Sequence, residues 1–333
     1  MRVAVVGAGA WGTALARTFA QAGVETLLWT WQAEHAQALG QERENRQFFP
    51  GYPLPPNLRV TSDVAEAAGF ADALLLVVPS TALRETLVRF APHLRPDVVP
   101  MTATKGIEAG SCLLMSQVIE SVLGAPAGAR TVALSGPSFA REVAERMPTN
   151  LVAACHDIEL GRRIQALLSN DFVRVYTSED VIGVEVGGAL KNVIAVAAGA
   201  SDGLGLGHNT RAALITRGIA EMSRLAVALG GQSRTLAGLS GIGDLVLTCT
   251  GDLSRNRTLG QRLASGLSLE EALGRSAGVA EGYWTARSVH DLARRHGVDL
   301  PICAAVHSVL HEGISLQEAL RVLLTRPLHA EWE

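Results

Sequence analysis

The chain has 333 residues, of which 48% are hydrophobic and 18% are charged, and its formal net charge is −3. This length is sufficient for two domains of ordinary size, and the composition is that of a globular protein. The small negative charge excludes a broad basic surface, so nucleic acid is not expected as a partner.

The first half alternates short apolar runs with helical patterns, which predicts a doubly wound α/β domain with a largely parallel sheet. Strands are expected at residues 3–7, 25–30, 72–79, 98–103 and 131–135, with helices at 12–22, 82–90 and 113–122. Two later apolar runs, at 149–155 and 172–176, flank a helical pattern at 160–168 and are expected to extend the same sheet.

A glycine-rich loop, Gly7-Ala8-Gly9-Ala10-Trp11-Gly12, stands between the first strand and the first helix. Gly7 permits a tight turn, Gly9 lets the backbone approach a pyrophosphate, and Gly12 allows the helix to pack on the strand. The N-terminus of the helix adds free N–H groups and partial positive charge. The loop therefore predicts a dinucleotide site, in which Trp11 either packs against the protein or covers the cofactor.

The choice between NAD(H) and NADP(H) depends on the end of the second strand. An NAD-selective site usually carries an acid there, about 20 residues past the loop. This chain has Trp31 and Gln32 at that point, and the first acid is Glu34. No carboxylate is well placed there to repel a 2′-phosphate, and no arginine is there to bind one, although Arg43 or Arg46 could reach it from the next segment. Use of both cofactors, with a preference for NADP(H), is therefore expected.

After about residue 178 the strand signals end. Residues 184–200 are rich in Ala, Val and Gly with few charges, which predicts a helix packed on nearly all sides. Amphipathic patterns predict further helices at 211–230, 256–264, 268–273, 285–296, 302–311 and 316–324, with start signals at Ser268 and Ser315. The chain is thus predicted to hold a nucleotide-binding domain at 1–178 and an all-helical domain at 179–333.

The remaining features argue against a membrane span, a disulfide or a metal. No segment has the roughly 18 uninterrupted apolar residues of a transmembrane helix. The four cysteines show no CxxC spacing, so buried free thiols in a reducing, cytoplasmic compartment are expected. His307 and His311 have the spacing of a helical metal pair but no third ligand, and no metal site is expected.

Lysine is almost absent, since only Lys105 and Lys191 occur among 29 basic residues, and both lie in Gly-rich, nearly uncharged stretches. An arginine keeps its proton near neutral pH, whereas a desolvated lysine can lose it. Both lysines are therefore candidate proton donors. The alternative is that a composition poor in lysine left the two by accident.

Several polar residues stand where ligands bind in an open α/β sheet or at a helix start. Lys105 follows the end of one strand, and Gly136-Pro137-Ser138 closes a later one. Residues 241–244 mark a tight turn that bears a single acid, Asp244. Ser254-Arg255-Asn256-Arg257 combines hydroxyl, guanidinium and amide groups at a helix start, which suits a phosphoester. The alternative there is a helix cap with solvated arginines.

Taken together, these segments resemble the bacterial-type NAD(P)-dependent sn-glycerol-3-phosphate dehydrogenases over essentially the whole chain. The matching strings include GAGAWGTALA, ATKGIE, SGPSFAREV, GGALKN, GLSGIGDLVLTCT, SRNR and VAEGYWTA. The resemblance implies a Rossmann-type domain followed by an all-helical domain, as in 6-phosphogluconate dehydrogenase. It also implies reversible NAD(P)H-dependent reduction of dihydroxyacetone phosphate to sn-glycerol 3-phosphate for glycerophospholipid synthesis. The implied partner is a small phosphorylated substrate, with a homodimer left open.

The resemblance also implies residue roles by matching positions. Lys191, in GGALKN, corresponds to the general acid/base, and Lys105 corresponds to a lysine that touches both substrate and cofactor. Other substrate-binding positions correspond to Gly136, Ser138, Asp244, Ser254, Arg255 and Asn256. Cofactor contacts beyond the glycine loop correspond to Ala140, Arg255, Val279 and Glu281.

Two departures from the family pattern concern the cofactor. Ala10 stands where the family usually has Ser, so a side-chain contact to phosphate is lost. Trp31 and Gln32 stand where a His or Arg is common, which puts the usual grip on a 2′-phosphate in question. Ala10, Trp11 and Trp31 are still expected among the cofactor contacts.

The implied mechanism requires Lys191 to give up and regain a proton. Its apolar helix should lower the pKa of Lys191, and a nearby Lys105 ammonium would lower it further. Asp244 could orient Lys191, but a close carboxylate would raise that pKa again. The sequence does not determine which influence prevails.

Two other functions are alternatives. A β-hydroxyacid dehydrogenase has a similar architecture and a catalytic lysine, but its carboxylate substrate would not need the SRNR cluster. A regulator that senses NAD(P)H without turnover would have no use for Lys105, Lys191 and Asp244.

Overall fold

The strands expected from the sequence are all present in the computed structural model, which describes residues 1–274, 280–328 and 330–331. The strands are β1 (Val3–Val6), β2 (Thr26–Trp29), β3 (Glu44–Asn45), β4 (Phe49–Pro53), β5 (Arg59–Thr61), β6 (Ala73–Leu76), β7 (Val99–Thr102), β8 (Val132–Ser135), β9 (Thr149–Ala154) and β10 (Val173–Ser178).

Helices connect the strands of the first half and make up the second half. They are α1 (Ala10–Gln21), α2 (Ala33–Glu42), α3 (Val64–Phe70), α4 (Leu83–Phe90), α5 (Met115–Leu123), α6 (Ala125–Gly128), α7 (Ala140–Ala144), α8 (Ile158–Leu168), α9 (Val181–Gly203), α10 (Gly207–Ala228), α11 (Ser233–Leu236), α12 (Asp244–Thr250), α13 (Arg255–Ala264), α14 (Leu269–Gly274), α15 (Glu281–His296), α16 (Pro301–His311) and α17 (Leu316–Leu324). Two short 3₁₀ helices, Ser80–Ala82 and Ala91–His93, and a π-helical turn, Leu239–Gly243, complete the described elements.

The main sheet has eight strands in the order β10-β9-β8-β7-β6-β1-β2-β5, and all neighbours run parallel except β8 and β9. The strand order reverses beside β1, and open sheets bind ligands at such a point. The register pairs Val6 with Leu76 and Leu76 with Thr102, so the C-terminal ends of β1, β6 and β7 are level. The loops that follow these strands therefore meet at one edge of the sheet.

The central strands are continuously apolar because helices cover both faces of the sheet. Every residue of β1, β2, β6 and β7 is buried. On one face Val5 and Leu28 pack in the same cluster as Phe19 of α1, and on the other Trp29 and Leu76 pack with residues of α3 and α4. The two faces therefore have separate cores.

The helical half is organised around α9, which contacts α10, α12, α13, α15 and α16 as well as strands β8 and β9. Among the described helices, α9 is the one long and apolar enough to cross a membrane, yet 89% of its apolar window is buried inside this protein. Such burial is typical of a core helix and agrees with the scarcity of charge in its sequence.

The start signals at Ser268 and Ser315 are confirmed. The Ser268 N–H donates to the carboxylate of Glu271 (2.9 Å), and the Glu271 N–H donates back to the Ser268 hydroxyl (3.3 Å). At the start of α17 the Ser315 hydroxyl accepts a hydrogen bond from the Glu318 N–H (3.1 Å). These contacts satisfy N–H groups that the first turn of a helix leaves free.

Two regions differ from the sequence-based expectations. Residues 33–70 hold α2, α3 and the short strands β3 to β5, none of which has a long apolar run. The tight turn expected at 241–244 is instead a π-helical turn that leads directly into α12. The reason is that the Gly238 carbonyl accepts hydrogen bonds from the N–H groups of both Gly241 and Gly243 (each 3.2 Å), so the backbone keeps winding.

Candidate active site

The centre of the candidate site is a carboxylate held between two amines. Lys105 follows β7, Lys191 lies on α9, and Asp244 is the first residue of α12. Lys191 Nζ donates to Asp244 Oδ1 (2.5 Å), and Lys105 Nζ donates to Asp244 Oδ2 (2.7 Å). The side chain of Asp244 is 1% exposed, that of Lys191 9% and that of Lys105 17%. The cluster is thus buried around Asp244 and Lys191 and accessible to solvent beside Lys105.

Two further contacts fix the amines. Lys191 Nζ donates to Thr248 Oγ1 (3.1 Å), and this hydroxyl donates to the Asp244 carbonyl (2.6 Å). Lys105 Nζ lies 3.4 Å from the Gly136 carbonyl, which follows β8. Thr248 was not singled out from the sequence, although its place one helical turn after Asp244 is a signal that could have found it.

Burial decides the protonation of Lys191. Burial, the largest effect, and the nearby Lys105 ammonium together lower the pKa of Lys191 to about 8, against the opposing charge of Asp244. Burial also raises the pKa of Asp244, but the two ammonium groups outweigh this effect and hold it below its ordinary value. The structure therefore places a charged Asp244 beside a lysine that loses its proton at a lower pH than an ordinary lysine.

A second carboxylate, Glu281, packs against the loop that carries Lys105. Glu281 begins α15 and accepts hydrogen bonds from the N–H (3.2 Å) and the hydroxyl (2.6 Å) of Ser80, which follows β6. Burial raises the pKa of Glu281. A Cβ at Gly106 would lie 2.7 Å from Ser80 Cβ, so a glycine is required beside Lys105. Ser80 thereby joins the first half of the chain to α15.

Asn256 links three helices of the second half. Its Nδ2 donates to Asn192 Oδ1 (2.9 Å), next to Lys191 on α9. Its Oδ1 accepts a hydrogen bond from the N–H of Gly282 (2.9 Å) on α15. Asn256 therefore holds α13, α9 and α15 together behind Lys191, with one amide hydrogen left for another partner.

In the SRNR segment, Ser254 and Arg257 make structural contacts, whereas Arg255 does not. Ser254 caps α13 by accepting from the Arg257 N–H (3.2 Å), and the Arg257 guanidinium donates to Asp202 (2.9 Å). The helix start expected from the sequence is confirmed, and Arg257 is a structural residue. Arg255 is exposed, lies within electrostatic range of Glu281, and makes no hydrogen bond to the described part of the chain. Its guanidinium is thus available for an anion.

The glycine loop has the shape that a pyrophosphate requires. Gly7 has φ 116°, and a Cβ there would lie 2.6 Å from the Val77 carbonyl. A Cβ at Gly12 would lie 1.9 Å from the Gly7 carbonyl, so neither position accepts a side chain. Gly9 precedes α1, and no atom lies within 4 Å of the position that a Cβ would occupy there. Open space is thus left at the N-terminus of the helix. The loop therefore fits the phosphates of a dinucleotide.

Three expected cofactor contacts border one small apolar cluster. Ala10 and Trp11 at the start of α1 and Ala140 at the start of α7 are half-buried and pack against the cluster of Ala14, Phe49 and Ala144. Trp11 also packs against the core below α1, which favours the packing role over that of a cover.

An asparagine that the sequence patterns missed supports the glycine loop. Asn45 is fully buried, and its Nδ2 donates to the Ala8 carbonyl (2.9 Å) and to Thr13 Oγ1 (2.8 Å). Its Oδ1 is 3.1 Å from His35 Nε2, and His35 Nδ1 is 3.0 Å from Thr30 Oγ1. This chain of contacts joins the loop to the end of β2. The role of Asn45 could not be predicted from the sequence because β3 is only two residues long and has no recognisable pattern.

Both arginines considered for a 2′-phosphate contact other groups of the protein. Arg43 follows the C-terminus of α2 and donates to the carbonyls of Pro55 and Leu58. Arg46 lies beyond it and pairs with the carboxylate of Glu42 (3.4 Å). The two arginines that could have supported a preference for NADP(H) are therefore engaged with other groups, and the preference stays a prediction.

The remaining expected residues are placed as follows. Trp31 follows β2 and is 68% exposed, and the Ser138 hydroxyl donates to the Gly136 carbonyl (3.0 Å). Val279 lies outside the described residues. Within residues 1–274, 280–328 and 330–331, no three or more His, Cys, Asp or Glu side chains form a group that could hold a metal ion. His307 stacks on His290 at 4.0 Å between ring centroids.

Comparisons with known proteins agree over both halves of the chain. The family model described as NAD-dependent glycerol-3-phosphate dehydrogenase N-terminus matches residues 2–161, and the corresponding C-terminus model matches residues 180–321. A relative from Geobacter sulfurreducens named glycerol-3-phosphate dehydrogenase (NAD(P)+) is 52% identical over 330 residues, covering 99% of this chain and 98% of the relative.

Solved structures of other proteins share the fold of this chain. The crystal structure of glycerol-3-phosphate dehydrogenase from Coxiella burnetii has a TM-score of 0.93 at 39% identity and covers 98% of this chain and 99% of that one. A ketopantoate reductase family structure from Ralstonia eutropha has a TM-score of 0.61 at 19% identity, covering 94% of this chain and 98% of that one, and shares the fold alone.

Proposed function

The chain belongs to the NAD-dependent glycerol-3-phosphate dehydrogenase family, and from this membership we infer that it reversibly reduces dihydroxyacetone phosphate to sn-glycerol 3-phosphate with NAD(P)H. It is thus an NAD(P)-dependent oxidoreductase that acts on a CH–OH group. The observation that carries the proposed chemistry is the buried contact between Lys191 and Asp244.

Lys191 is proposed as the general acid and base. When bound, the nicotinamide supplies or takes up the hydride at C2 of the substrate, and the protein manages one proton. In reduction, Lys191 Nζ donates its proton to the oxygen on C2; in oxidation, the neutral Nζ accepts that proton. A pKa of about 8 supports this role because both forms are accessible near neutral pH.

Asp244 and Lys105 are proposed to orient the acid and the substrate. Because Asp244 accepts from both amines, it holds them side by side and offsets their mutual repulsion. Lys105 is the more exposed amine and has one N–H left after its contacts with Asp244 and Gly136. That N–H is suited to hold the oxygen on C2 while Lys191 protonates it.

Arg255 is proposed to bind the substrate phosphate. Replacing Arg255 with alanine should raise the KM for dihydroxyacetone phosphate about 10- to 100-fold, because hydrogen bonds to charged groups contribute about 1.5–3 kcal/mol. The control is dihydroxyacetone, which lacks the phosphate and should be used equally well by both proteins. An unchanged KM for the phosphorylated substrate would refute the assignment.

The pKa of Lys191 predicts opposite pH profiles for the two directions. Lys191 is the required ammonium below about pH 8, so kcat/KM for reduction should fall as pH rises through about 8. Oxidation needs the neutral amine and should rise over the same interval. Both rates are measured from pH 7 upward, where a phosphate monoester with a pKa near 6 is mostly dianionic. Profiles that move in the same direction would contradict the role of Lys191.

The reaction itself is tested by oxidation of NADPH and of NADH with dihydroxyacetone phosphate in parallel. Turnover with either cofactor supports the proposal. A protein that binds cofactor but does not turn over this substrate would refute it. β-Hydroxyacids would then test the related dehydrogenase, and failure on every substrate would favour a cofactor sensor.

Three broader expectations are also proposals. A boundary after residue 178 is supported by the end of β10 at Ser178 and the start of α9 at Val181. A cytoplasmic location is supported by four buried free cysteines. A role in glycerophospholipid synthesis follows from the chemistry of the product, and a homodimer remains a prediction.

A further inference from the structure

The three residues that directly follow β2, Thr30, Trp31 and Gln32, are uncharged. The Thr30 hydroxyl is engaged with His35 Nδ1 (3.0 Å). Trp31 is 68% exposed, and Gln32 precedes α2 without a side-chain hydrogen bond to the helix. In folds of this type an acid at this point binds the ribose hydroxyls, whereas an arginine nearby binds a 2′-phosphate. This chain has an aromatic ring and an uncharged amide in their place.

The two arginines of the next segment, Arg43 and Arg46, are engaged with other groups. Arg43 ends the helix with φ 52° and donates to the Leu58 carbonyl (3.0 Å). A helix of this length spans about 15 Å, so the guanidinium is far from the N-terminal end that adjoins Trp31. Arg46 follows Asn45, which contacts His35 in the first turn of α2, but its guanidinium pairs with the carboxylates of Glu42 (3.4 Å) and Glu44 (3.9 Å). Both guanidinium groups are thus engaged with other partners.

Two other arginines near this part of the sheet are also committed elsewhere. Arg89 stands over the ring of Trp29 at 5.6 Å, on the face that α3 and α4 cover, whereas α1 packs on the opposite face. Arg59 begins β5, pairs in register with Leu27, and makes an ion pair with Glu66 (2.6 Å). It thus lies at the opposite end of β5 from the edge where β2 ends.

Two carboxylates lie at this edge of the sheet. Glu34 is exposed in the first turn of α2. Asp63 caps α3 and follows Thr61, which pairs in register with Trp29. A 2′-phosphate carries about −1.5 to −2 charges at pH 7 and would be repelled by these carboxylates, whereas the four arginines described above have other partners.

We propose that this edge selects the unphosphorylated ribose, so that the protein binds NADH more tightly than NADPH, with Gln32 as the residue that sets the choice. The exposed ring of Trp31 supplies a plane for the adenine of either cofactor, and the Gln32 amide can bond the ribose hydroxyls. The inference rests on the proposed function, because it concerns the cofactor of that reaction.

The test is a binding titration of the full chain with NADH and with NADPH, without substrate, followed by fluorescence energy transfer from tryptophan to the reduced nicotinamide. NADPH is expected to have a Kd at least about 10-fold higher than that of NADH, equivalent to about 1.4 kcal/mol. Equal Kd values, or tighter binding of NADPH, would overturn the inference while leaving the reaction intact. Failure to bind either cofactor would overturn both the inference and the proposed function.

Gln32→Arg should reverse the choice by adding a cation beside the ribose. It is expected to lower the Kd for NADPH at least about 10-fold, with little change for NADH. Gln37→Arg is the matched control, since it adds the same charge on an exposed position of α2 further from β2. Trp31→Ala should weaken both cofactors equally. A folded Gln32→Arg protein with an unchanged ratio of Kd values would refute the role of Gln32.

Discussion

Replacing Lys191 with arginine should lower turnover by about two to four orders of magnitude, the range expected when a general acid is lost. Arginine keeps the positive charge against Asp244 but cannot lose its proton near neutral pH. Lys191 Nζ now contacts Asp244 Oδ1 (2.5 Å) and Thr248 Oγ1 (3.1 Å), so the larger guanidinium must displace neighbours. The measurement is kcat in both directions, with the NADH Kd as a check that the cofactor site is intact.

A second variant separates the loss of the proton from the crowding. Lys191→Met has nearly the same length, no charge and no transferable proton, and it leaves the Lys105–Asp244 ion pair in place. Both variants should be slow in both directions. Near-normal turnover in either one would exclude Lys191 as the proton donor.

Replacing Asp244 with asparagine should have the next largest effect. The side chain keeps its shape and an oxygen for Lys191, but burial and Lys105 then act on the pKa of Lys191 unopposed. That pKa should fall well below 8, so at neutral pH the ammonium becomes the minor form. We expect reduction at pH 7.5 to slow by about 10- to 100-fold and the alkaline limb of its pH profile to move to lower pH.

The variant will also be less stable. Removing one partner of a buried ion pair typically costs about 3–5 kcal/mol, so a lower Tm is expected and folding must be checked first. Thr248→Val is the control, because it removes a neutral contact to Lys191 and should slow reduction only a few-fold with an unchanged pH profile. An Asp244→Asn enzyme with the pH profile of the parent would show that Asp244 does not govern Lys191.

The identity of the central residues could be predicted from the sequence because chemistry restricts their type. A site that needs a transferable proton cannot use arginine. In a chain whose basic residues are otherwise arginines, the two lysines are therefore the candidates for that role. Their geometry could not be predicted. Lys105 and Asp244 are 139 positions apart, and whether Asp244 or burial controls the pKa of Lys191 depends on a contact and a burial that only the fold provides.

The same limit explains what was missed around the cofactor. The glycine loop is readable because glycine is the only residue that fits at Gly7 and Gly12. Asn45, which holds that loop through the Ala8 carbonyl, lies in a two-residue strand with no pattern of its own. Likewise, the sequence alone suggests that Arg43 is available to bind a phosphate. In the folded chain its guanidinium donates instead to the Leu58 carbonyl.

The central position of α9 has a consequence for the order in which the chain folds. Its partners in the helical half include α13 and α15, which begin at Arg255 and Glu281, whereas α9 itself ends at Gly203. During synthesis at about 5–20 residues per second, this apolar helix leaves the ribosome seconds before the helices that cover it. The finished sheet can shelter only the side of α9 that faces β8 and β9. The helix that carries the proposed acid is therefore exposed to misassembly in the nascent chain until α13 and α15 have been synthesised.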